Sequence, residues 1–305
     1  MKKLLFSVFL LLSFLRAQGQ IYMNDSTVHV IGYWDNMEKQ TYTMTHEKLV
    51  IRDNETISRE FYKYAIDITI VDSTENSYTI DWFYHDYEVQ SDNEITKLLF
   101  SIAEDMTCTI KTDELGEFKE VVNWEEMRDY ILKGTNLIKQ EMEHLPDFDK
   151  LVTQIENMYS TKESIETVVM HEIQQFYTFH GGAYKLGEIY SADMKVPNGH
   201  GDEPFDAEIT VWLDEIDPDD NNYILRLKQE VNQQQLVKST FDYLSKLAEA
   251  IGAVGPTLDE IPTLQNEIWI ASRIHGSGWV IYSVKTKEIT VEGQTNIEET
   301  IIEIQ

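Results

Sequence analysis

Three oxygen-bearing side chains at alternate positions, Asp217, Asp219 and Asn221, form the pattern in this 305-residue chain that is most similar to a metal-binding loop. A loop that curls around a hard cation such as calcium presents oxygen ligands at its first, third and fifth positions. The later positions depart from that pattern, because Asn222 replaces the glycine of the sharp turn and Lys228 replaces the bidentate glutamate. We therefore interpret the loop as a structural hairpin turn, and a weak cation site at its three oxygens is the alternative.

A second candidate is the pair His171-Glu172, which lies on a predicted helix. In zinc proteases two histidines one helical turn apart bind the metal, and the glutamate between them is the general base. Here Gln175 occupies the position of the second histidine, and His180 lies beyond the helix. The sequence therefore favours an ordinary surface His-Glu pair over a metalloprotease.

Two loops contain other reactive side chains. Ser277 lies between two glycines, as in part of a nucleophile elbow, but that motif continues into a helix and Trp279 begins another strand. A hairpin turn is the better interpretation. His200, Asp202 and Glu203 lie in a segment with Gly and Asn, so we expect a flexible turn, with a small acid–base or metal cluster as the alternative.

Aromatic side chains crowd one predicted strand, at Trp82, Phe83, Tyr84 and Tyr87. Because they occupy both faces of the strand, we expect the strand to be covered on both sides. A plain hydrophobic core is the first interpretation, and an apolar or sugar-binding cavity is the alternative.

The elements that would position these residues begin with a β-rich region between residues 21 and 122. Runs of Ile, Val, Thr and aromatic residues alternate there with short polar turns. Connections this short leave no room for crossovers, so we predict an antiparallel meander. The predicted strands are Val28–Ile31, Thr41–Ile51, Glu60–Val71, Tyr78–Glu88, Lys97–Thr112 and Phe118–Val122.

Helical periodicity begins directly after a hairpin whose turn contains Gly116. Asn123 is predicted to cap the first helix, with Glu126 reaching back to the cap. Two more helices follow before residue 181, and Ser160 with Glu163 predicts a capping box for the last of them.

After residue 182 the β pattern returns, with one more helix at Gln233–Ile251. The predicted strands are Tyr184–Val196, Phe205–Ile216, Ile224–Leu227, Glu267–His275, Trp279–Val284, Ile289–Val291 and Thr300–Ile304. The Asp-x3-Asn-x-Tyr spacing at Asp72 recurs at Asp217, which leaves open two related sheet-plus-helix units. We predict an α+β fold with curved, mostly antiparallel sheet and helices packed on one side. Segments 20–182 and 183–305 are either two domains or one continuous domain.

Residues 1–19 have the pattern of a secretory signal peptide. Lys2 and Lys3 precede an apolar run, Leu4–Leu15, and Ala17 to Gly19 form a small-x-small cleavage site. The run is shorter than the ~20 residues of a membrane-spanning helix. We therefore expect no membrane span, and a soluble protein exported to the periplasm or the extracellular space.

The charge of the chain narrows its partners. It has 54 acidic and 25 basic residues and a formal net charge of −29. Such a field repels phosphate backbones and anionic lipid surfaces, so we expect no nucleic-acid partner. The single cysteine, Cys108, has no partner for an internal disulfide and is predicted to be a buried structural thiol. We expect a monomer without a cofactor.

The predicted elements follow the order leader, strands, helices and strands. The chain also contains two turn-strand segments, Asp113 to Phe118 (Asp-Glu-Leu-Gly-Glu-Phe) and Gly278 to Ser283 (Gly-Trp-Val-Ile-Tyr-Ser). This order resembles that of uncharacterised exported proteins of Gram-negative bacteria. It is also similar to the curved half-barrels of periplasmic lipoprotein carriers and lipoprotein-like lipid-binding proteins. The resemblance implies a concave apolar surface under helices that binds an acyl chain or a protein segment.

The sequence therefore favours an exported, non-enzymatic binding or scaffold protein for an apolar ligand or a protein segment. The alternative is a secreted hydrolase that uses a pair of carboxylates. With 54 acidic residues the candidate pairs are too many for one to be chosen, so no catalytic residue is assigned.

Overall fold

The computed structural model describes residues 20–91, 97, 100, 102–142, 148–198 and 203–305. The predicted signal peptide lies outside the described residues, and so do His200 and Asp202.

Strands precede and follow a block of three helices. The strands of the first part are β1 (Ile21–Tyr22), β2 (Thr27–His29), β3 (Lys39–Arg52), β4 (Glu55–Thr74), β5 (Ser77–Gln90), β6 (Thr107–Asp113) and β7 (Phe118–Val121). The three helices are α1 (Trp124–Met142), α2 (Phe148–Met158) and α3 (Lys162–Tyr177). The remaining elements are β8 (Ala183–Lys185), β9 (Ile189–Val196), β10 (Phe205–Asp217), β11 (Asn222–Val231), α4 (Gln233–Ile251), β12 (Leu264–His275), β13 (Val280–Val291) and β14 (Gln294–Ile304).

In the described part of the chain, one antiparallel sheet contains eleven strands in the order β7-β6-β5-β4-β3-β14-β13-β12-β11-β10-β9. The pairing of β3 with β14 brings an N-terminal strand next to the C-terminal strand. It runs from the pair Arg52 and Gln294 to the pair Tyr42 and Ile304. Strands β1, β2 and β8 form a separate small sheet. The predicted α+β fold with mostly antiparallel sheet is confirmed, and both predicted segments contribute to the large sheet.

Helix α3 lies across one face of the sheet and places its apolar side chains there. Phe176 packs edge-on against Tyr42 and Trp82, with ring centroids 5.4 Å apart in both pairs. Trp279, from the turn before β13, also contacts Phe176. These residues belong to one buried cluster that draws on both ends of the chain, while α1 and α2 pack against α3.

The prediction of a strand over Lys97–Thr112 is wrong in its first half. Of its described residues, Lys97, Phe100, Ile102 and Ala103 are helical, and the strand begins only at Thr107. A short apolar run satisfies the strand and the helix pattern alike, so periodicity alone does not separate them.

Helix α1 begins where the sequence predicts, but Asn123 does not cap it. Its Oδ1 accepts a hydrogen bond from the backbone N–H of Thr109 at 2.8 Å, and its Nδ2 donates to the carbonyl oxygen of Thr107 at 3.0 Å. The side chain therefore ties the start of the helix to β6.

The capping box of α3 lies one residue later than predicted. Thr161 is the cap, and its hydroxyl oxygen accepts from the backbone N–H of Ser164 while the Ser164 side chain accepts from Thr161. The prediction of Ser160 and Glu163 as the pair is wrong. Glutamate is the common third residue of a capping box, but the Ser164 side chain makes the same hydrogen bond to the cap, so the box forms one residue later.

Candidate ligand-binding cavity

A cavity with a volume of about 590 Å³ lies between the large sheet and the three helices α1 to α3. Most of its wall is apolar or aromatic. Phe100, Ile131 and Ile155 lie on the helical side. The tyrosines of the wall are Tyr62, Tyr64, Tyr84, Tyr87 and Tyr159. A cleft of this size and composition is typical of a small-molecule site.

The register of the sheet brings side chains from distant parts of the chain into one row across the cavity. Directly opposite residues of antiparallel strands have neighbouring side chains. The cavity row consists of Lys285 on β13, Thr300 on β14, His46 on β3 and Tyr62 on β4. His46 therefore lies between a hydroxyl and an aromatic ring, whose centroid is 4.5 Å from its own.

A second row, two residues further along each strand, alternates in charge. It consists of Lys287, Glu298, Lys48 and Glu60. Lys48 Nζ lies 3.5 Å and Lys287 Nζ 3.9 Å from the carboxylate of Glu298. This row forms a charged rim next to the largely apolar wall.

A bulge in β5 brings two tyrosines onto the cavity face. Asp86 has a φ of 56°, and the pairing of β5 with β4 shifts by one residue at this position. Tyr84 and Tyr87, three residues apart, therefore both line the cavity, and Tyr64 stacks on Tyr87 at 4.8 Å. Of the aromatic residues that the sequence singles out on this strand, Trp82 belongs to the buried core.

A hydrogen-bonded polar network forms one side of the wall. Glu172 Oε1 lies 3.3 Å from His46 Nε2 and accepts a hydrogen bond of 2.7 Å from the Tyr64 hydroxyl. His46 Nδ1 lies 3.0 Å from the Thr300 hydroxyl. The side chain of Glu172 is 16% exposed. The sequence interpretation of Glu172 as a surface residue is therefore wrong.

Burial and hydrogen bonding act in opposite directions on Glu172. Burial raises the pKa of this carboxyl, but the hydrogen bond and charge of His46 and the hydrogen bond from Tyr64 together hold it below its ordinary value. Burial, followed by the negative charge of Glu172, raises the pKa values of Tyr62, Tyr64, Tyr84, Tyr87 and Tyr159. At neutral pH these phenols are therefore neutral and surround the ionised carboxylate of Glu172.

The sequence contains a signal for this network that the motif comparison missed. Glu172 lies four residues before Phe176 and seven after Ile165, so it belongs to the apolar stripe of α3. His46 likewise continues the inward alternation of Tyr42 and Met44 on β3. A charged or polar side chain at such a position is unusual and indicates a buried partner.

A histidine bound to a buried carboxylate and to a hydroxyl is also an arrangement used in acid–base catalysis. Thr300, however, lies on an interior strand whose backbone pairs on both sides, and its carbonyl oxygen accepts from Gln175 Nε2 at 3.1 Å. Stabilising an oxyanion needs free donors, and the sheet uses the backbone N–H groups here. The network therefore suits an anchor of α3 on the sheet better than acyl transfer.

The loop proposed from sequence as a weak cation site is held by its own hydrogen bonds. Asp217 Oδ1 accepts from the backbone N–H groups of Asp219 and Asp220, both at 3.2 Å. Asn221 has a φ of 49°, and its Nδ2 lies 3.4 Å from His275 Nε2. Across the described residues, no group of three or more His, Cys, Asp or Glu side chains is placed to hold a metal ion. Weak or absent calcium binding at Asp217, Asp219 and Asn221 stays a prediction.

The remaining candidates lie away from the cavity. Ser277 is in the hairpin turn between β12 and β13, as predicted, and its hydroxyl lies 2.8 Å from His275 Nδ1 inside that turn. Cys108 is buried, and burial raises the pKa of its thiol. It is therefore an unreactive structural thiol.

No protein-family model matches the chain, and no curated protein shows significant similarity to it. Within the described ranges, no helix combines the length and the apolar character needed to cross a membrane. The class of protein is therefore inferred from the cavity.

Proposed function

We propose that this protein is a non-enzymatic binding protein that holds an apolar ligand in the cavity between the sheet and helices α1 to α3. The supporting observation is the cavity itself, about 590 Å³ in volume and lined by aromatic and aliphatic side chains. Burying apolar ligand surface there gains about 25 cal/mol per Å². The hydrogen-bonded polar groups at His46, Glu172 and Thr300 form one side of the wall, and further lysines and glutamates line the cavity beside the apolar surface.

Side-chain hydrogen bonds connect the helix and the sheet on either side of the cavity, and such preorganisation lowers the ordering penalty of binding. Gln175 Nε2 donates to the Ser283 hydroxyl and to the Thr300 carbonyl oxygen, both at 3.1 Å. One turn earlier on α3, Glu172 contacts His46 on β3. Two cross-links thus hold the helix above the sheet and keep the space between them open.

We further propose that the protein functions outside the cytoplasm, after removal of residues 1–19. The leader pattern of the sequence supports this location. The resemblance of the element order to periplasmic lipid-binding half-barrels agrees with the same proposal.

Binding of a neutral apolar dye tests the proposed function. N-phenyl-1-naphthylamine becomes fluorescent in apolar surroundings, and we expect it to bind the purified protein with saturation. Ala103→Phe places a ring in the cavity and should weaken binding at least about tenfold. Ala192→Phe makes the same change on the exposed strand β9 and should leave binding unaltered. Equal binding by both variants, or no saturable binding at all, would contradict the proposal.

A hydrolase built on two carboxylates has less support at this cavity. Glu172, its most buried carboxylate, contacts His46 and Tyr64 and no second acid among the described residues. Hydrolysis of nitrophenyl esters or glycosides by the purified protein, abolished in Glu172→Gln while the fold is retained, would favour the enzyme instead.

A further inference from the structure

Lys285 is a half-buried cation of the cavity wall that has no hydrogen-bond or ion-pair partner among the described residues. It lies in the row with Thr300 and has Ile270 on its other side. In the described part of the chain it makes no ion pair within 4.0 Å and no side-chain hydrogen bond. The other two lysines of the wall, Lys48 and Lys287, both approach Glu298.

The absence of a partner is informative in so acidic a chain. The sequence has 54 acidic residues for 25 basic ones, so acidic groups outnumber the basic groups with which they could pair. Three lysines and four glutamates line the cavity wall, so its positive and negative charges nearly balance. Charges further away than a Debye length of about 8 Å are largely screened at physiological salt.

The surroundings of Lys285 disfavour a lone charge. Burial lowers the pKa of its ammonium group, Glu172 and Glu298 raise it, Lys287 lowers it, and the net shift is downward. A partly desolvated ammonium without a partner is unfavourable. An anionic group on a ligand would restore a short, charge-assisted hydrogen bond.

We propose that the ligand is a single-chain amphiphile with a carboxylate head, which binds Lys285 and extends its alkyl chain along the tyrosine-lined wall. This proposal rests on the proposed function of the cavity and specifies its ligand class. The Thr300 hydroxyl, next to Lys285 in the same row, is a second polar contact for the head. Tyr62 and Phe100, whose ring centroids are 4.5 Å apart, and Tyr87 provide the apolar surface for the chain.

Calorimetric titration with three probes whose straight chains contain twelve carbons tests the head group. Dodecanoate, dodecanol and dodecyltrimethylammonium present an anionic, a neutral and a cationic head group to Lys285. We expect the wild-type protein to bind dodecanoate at least about tenfold more tightly than dodecanol, and the cation most weakly.

Lys285→Met retains the length of the side chain and removes its charge. We expect this variant to bind dodecanoate and dodecanol equally, with affinity for dodecanol unchanged or improved. Lys63→Met removes an exposed lysine that does not line the cavity and should keep the wild-type preference. Thermal unfolding of each variant verifies that it is folded.

The outcomes separate the two proposals. If dodecanol and dodecanoate bind equally to the wild-type protein, or if Lys285→Met keeps the preference, the head-group proposal is wrong and the apolar cavity stands. Tighter binding of the cation would also overturn the head-group proposal. If no probe binds, both proposals fail.

Discussion

Glu172 connects helix α3 to the sheet through residues that are far away in the sequence. Tyr64, which donates to Glu172, is 108 positions from it in the sequence. Thr300 and His46, which contact each other, are 254 positions apart. No local pattern predicts such pairs, because they depend on which strands become neighbours. The apolar periodicity of α3 and β3 could have placed Glu172 and His46 on inward faces, but it does not identify their partners.

Two neighbouring tyrosines of the cavity differ in one respect that mutation can measure. The Tyr64 hydroxyl donates to Glu172 at 2.7 Å, whereas the buried Tyr84 hydroxyl has no hydrogen-bond partner among the described residues. We expect Tyr64→Phe to lower the free energy of unfolding by about 2 kcal/mol, since a hydrogen bond to a charged group is lost. Tyr84→Phe should leave the free energy of unfolding unchanged or raise it, because the change removes that unsatisfied buried hydroxyl.

Urea denaturation at pH 7 measures both variants. Each retains the ring, so the packing of the wall serves as its own control. A larger loss for Tyr84→Phe than for Tyr64→Phe would contradict the network around Glu172.

His180 makes the stability of the fold dependent on pH. It is buried, and its Nε2 lies 2.8 Å from the Gly278 carbonyl oxygen. Burial lowers its pKa from 6.5 to about 4. Between these values the unfolded chain binds a proton at His180 and the folded chain does not, so its contribution is present above pH 6.5 and is lost as the pH falls towards 4.

Comparison with His180→Gln isolates this contribution. Glutamine can donate to Gly278 but does not titrate. Between pH 7 and pH 4 the wild-type protein should lose about 3 kcal/mol more stability than the variant, because a shift of one pKa unit corresponds to about 1.4 kcal/mol. Chemical denaturation at a series of pH values provides the comparison, and parallel curves for the two proteins would show that folding does not lower the pKa of His180.

Among the elements, those that depend on local residues are the ones that the sequence predicts best. The turn at Gly116 has the expected positive φ, 90°, and helix α4 has the predicted bounds, Gln233–Ile251. Both depend on residues close together in the chain. Strands that are far apart in the sequence become neighbours only through long-range packing. The pairing of β3 with β14 was therefore not predictable from sequence.

The loop between β10 and β11 provides a test of the cation alternative. The Asp217 carboxylate already accepts hydrogen bonds from two backbone N–H groups. We therefore expect calcium to bind to this loop weakly or not at all. At one millimolar ion, a site of millimolar affinity would add only about 0.4 kcal/mol of stability, and a micromolar site about 4 kcal/mol. Thermal unfolding with and without calcium separates these cases.

Asp219→Ala is the control for ions that collect elsewhere on an acidic surface. A stabilisation of several degrees that disappears in this variant would show that the loop is a calcium site after all.

At the scale of the whole molecule, the eleven-stranded sheet and the large core cluster both contain residues of the two predicted segments. Tyr62 comes from the first segment and Lys285 from the second, and both lie in one row of the cavity wall. The cavity therefore depends on the complete sheet. The sequence predicted most of the strands and helices around the cavity, but the space enclosed between them required the strand order.

Export of the chain predicts a defined mass. Cleavage after Gly19 would remove the leader with its three basic residues and leave a chain that begins at Gln20. Intact-mass measurement of protein recovered from the periplasm or medium of the expressing cells tests this expectation. A mass that includes Met1 to Gln18 would contradict cleavage at this site.

The most direct test of the central claim is to locate an apolar ligand in a crystal. Dodecanol with a bromine atom at the far end of its chain is neutral, so it reports on the cavity without the head-group proposal. We predict an anomalous bromine peak between the sheet and the helices, within contact distance of Tyr87, Phe100 or Ile155. A bromine peak found only outside this cavity, in crystals grown at a saturating concentration of the probe, would contradict the account.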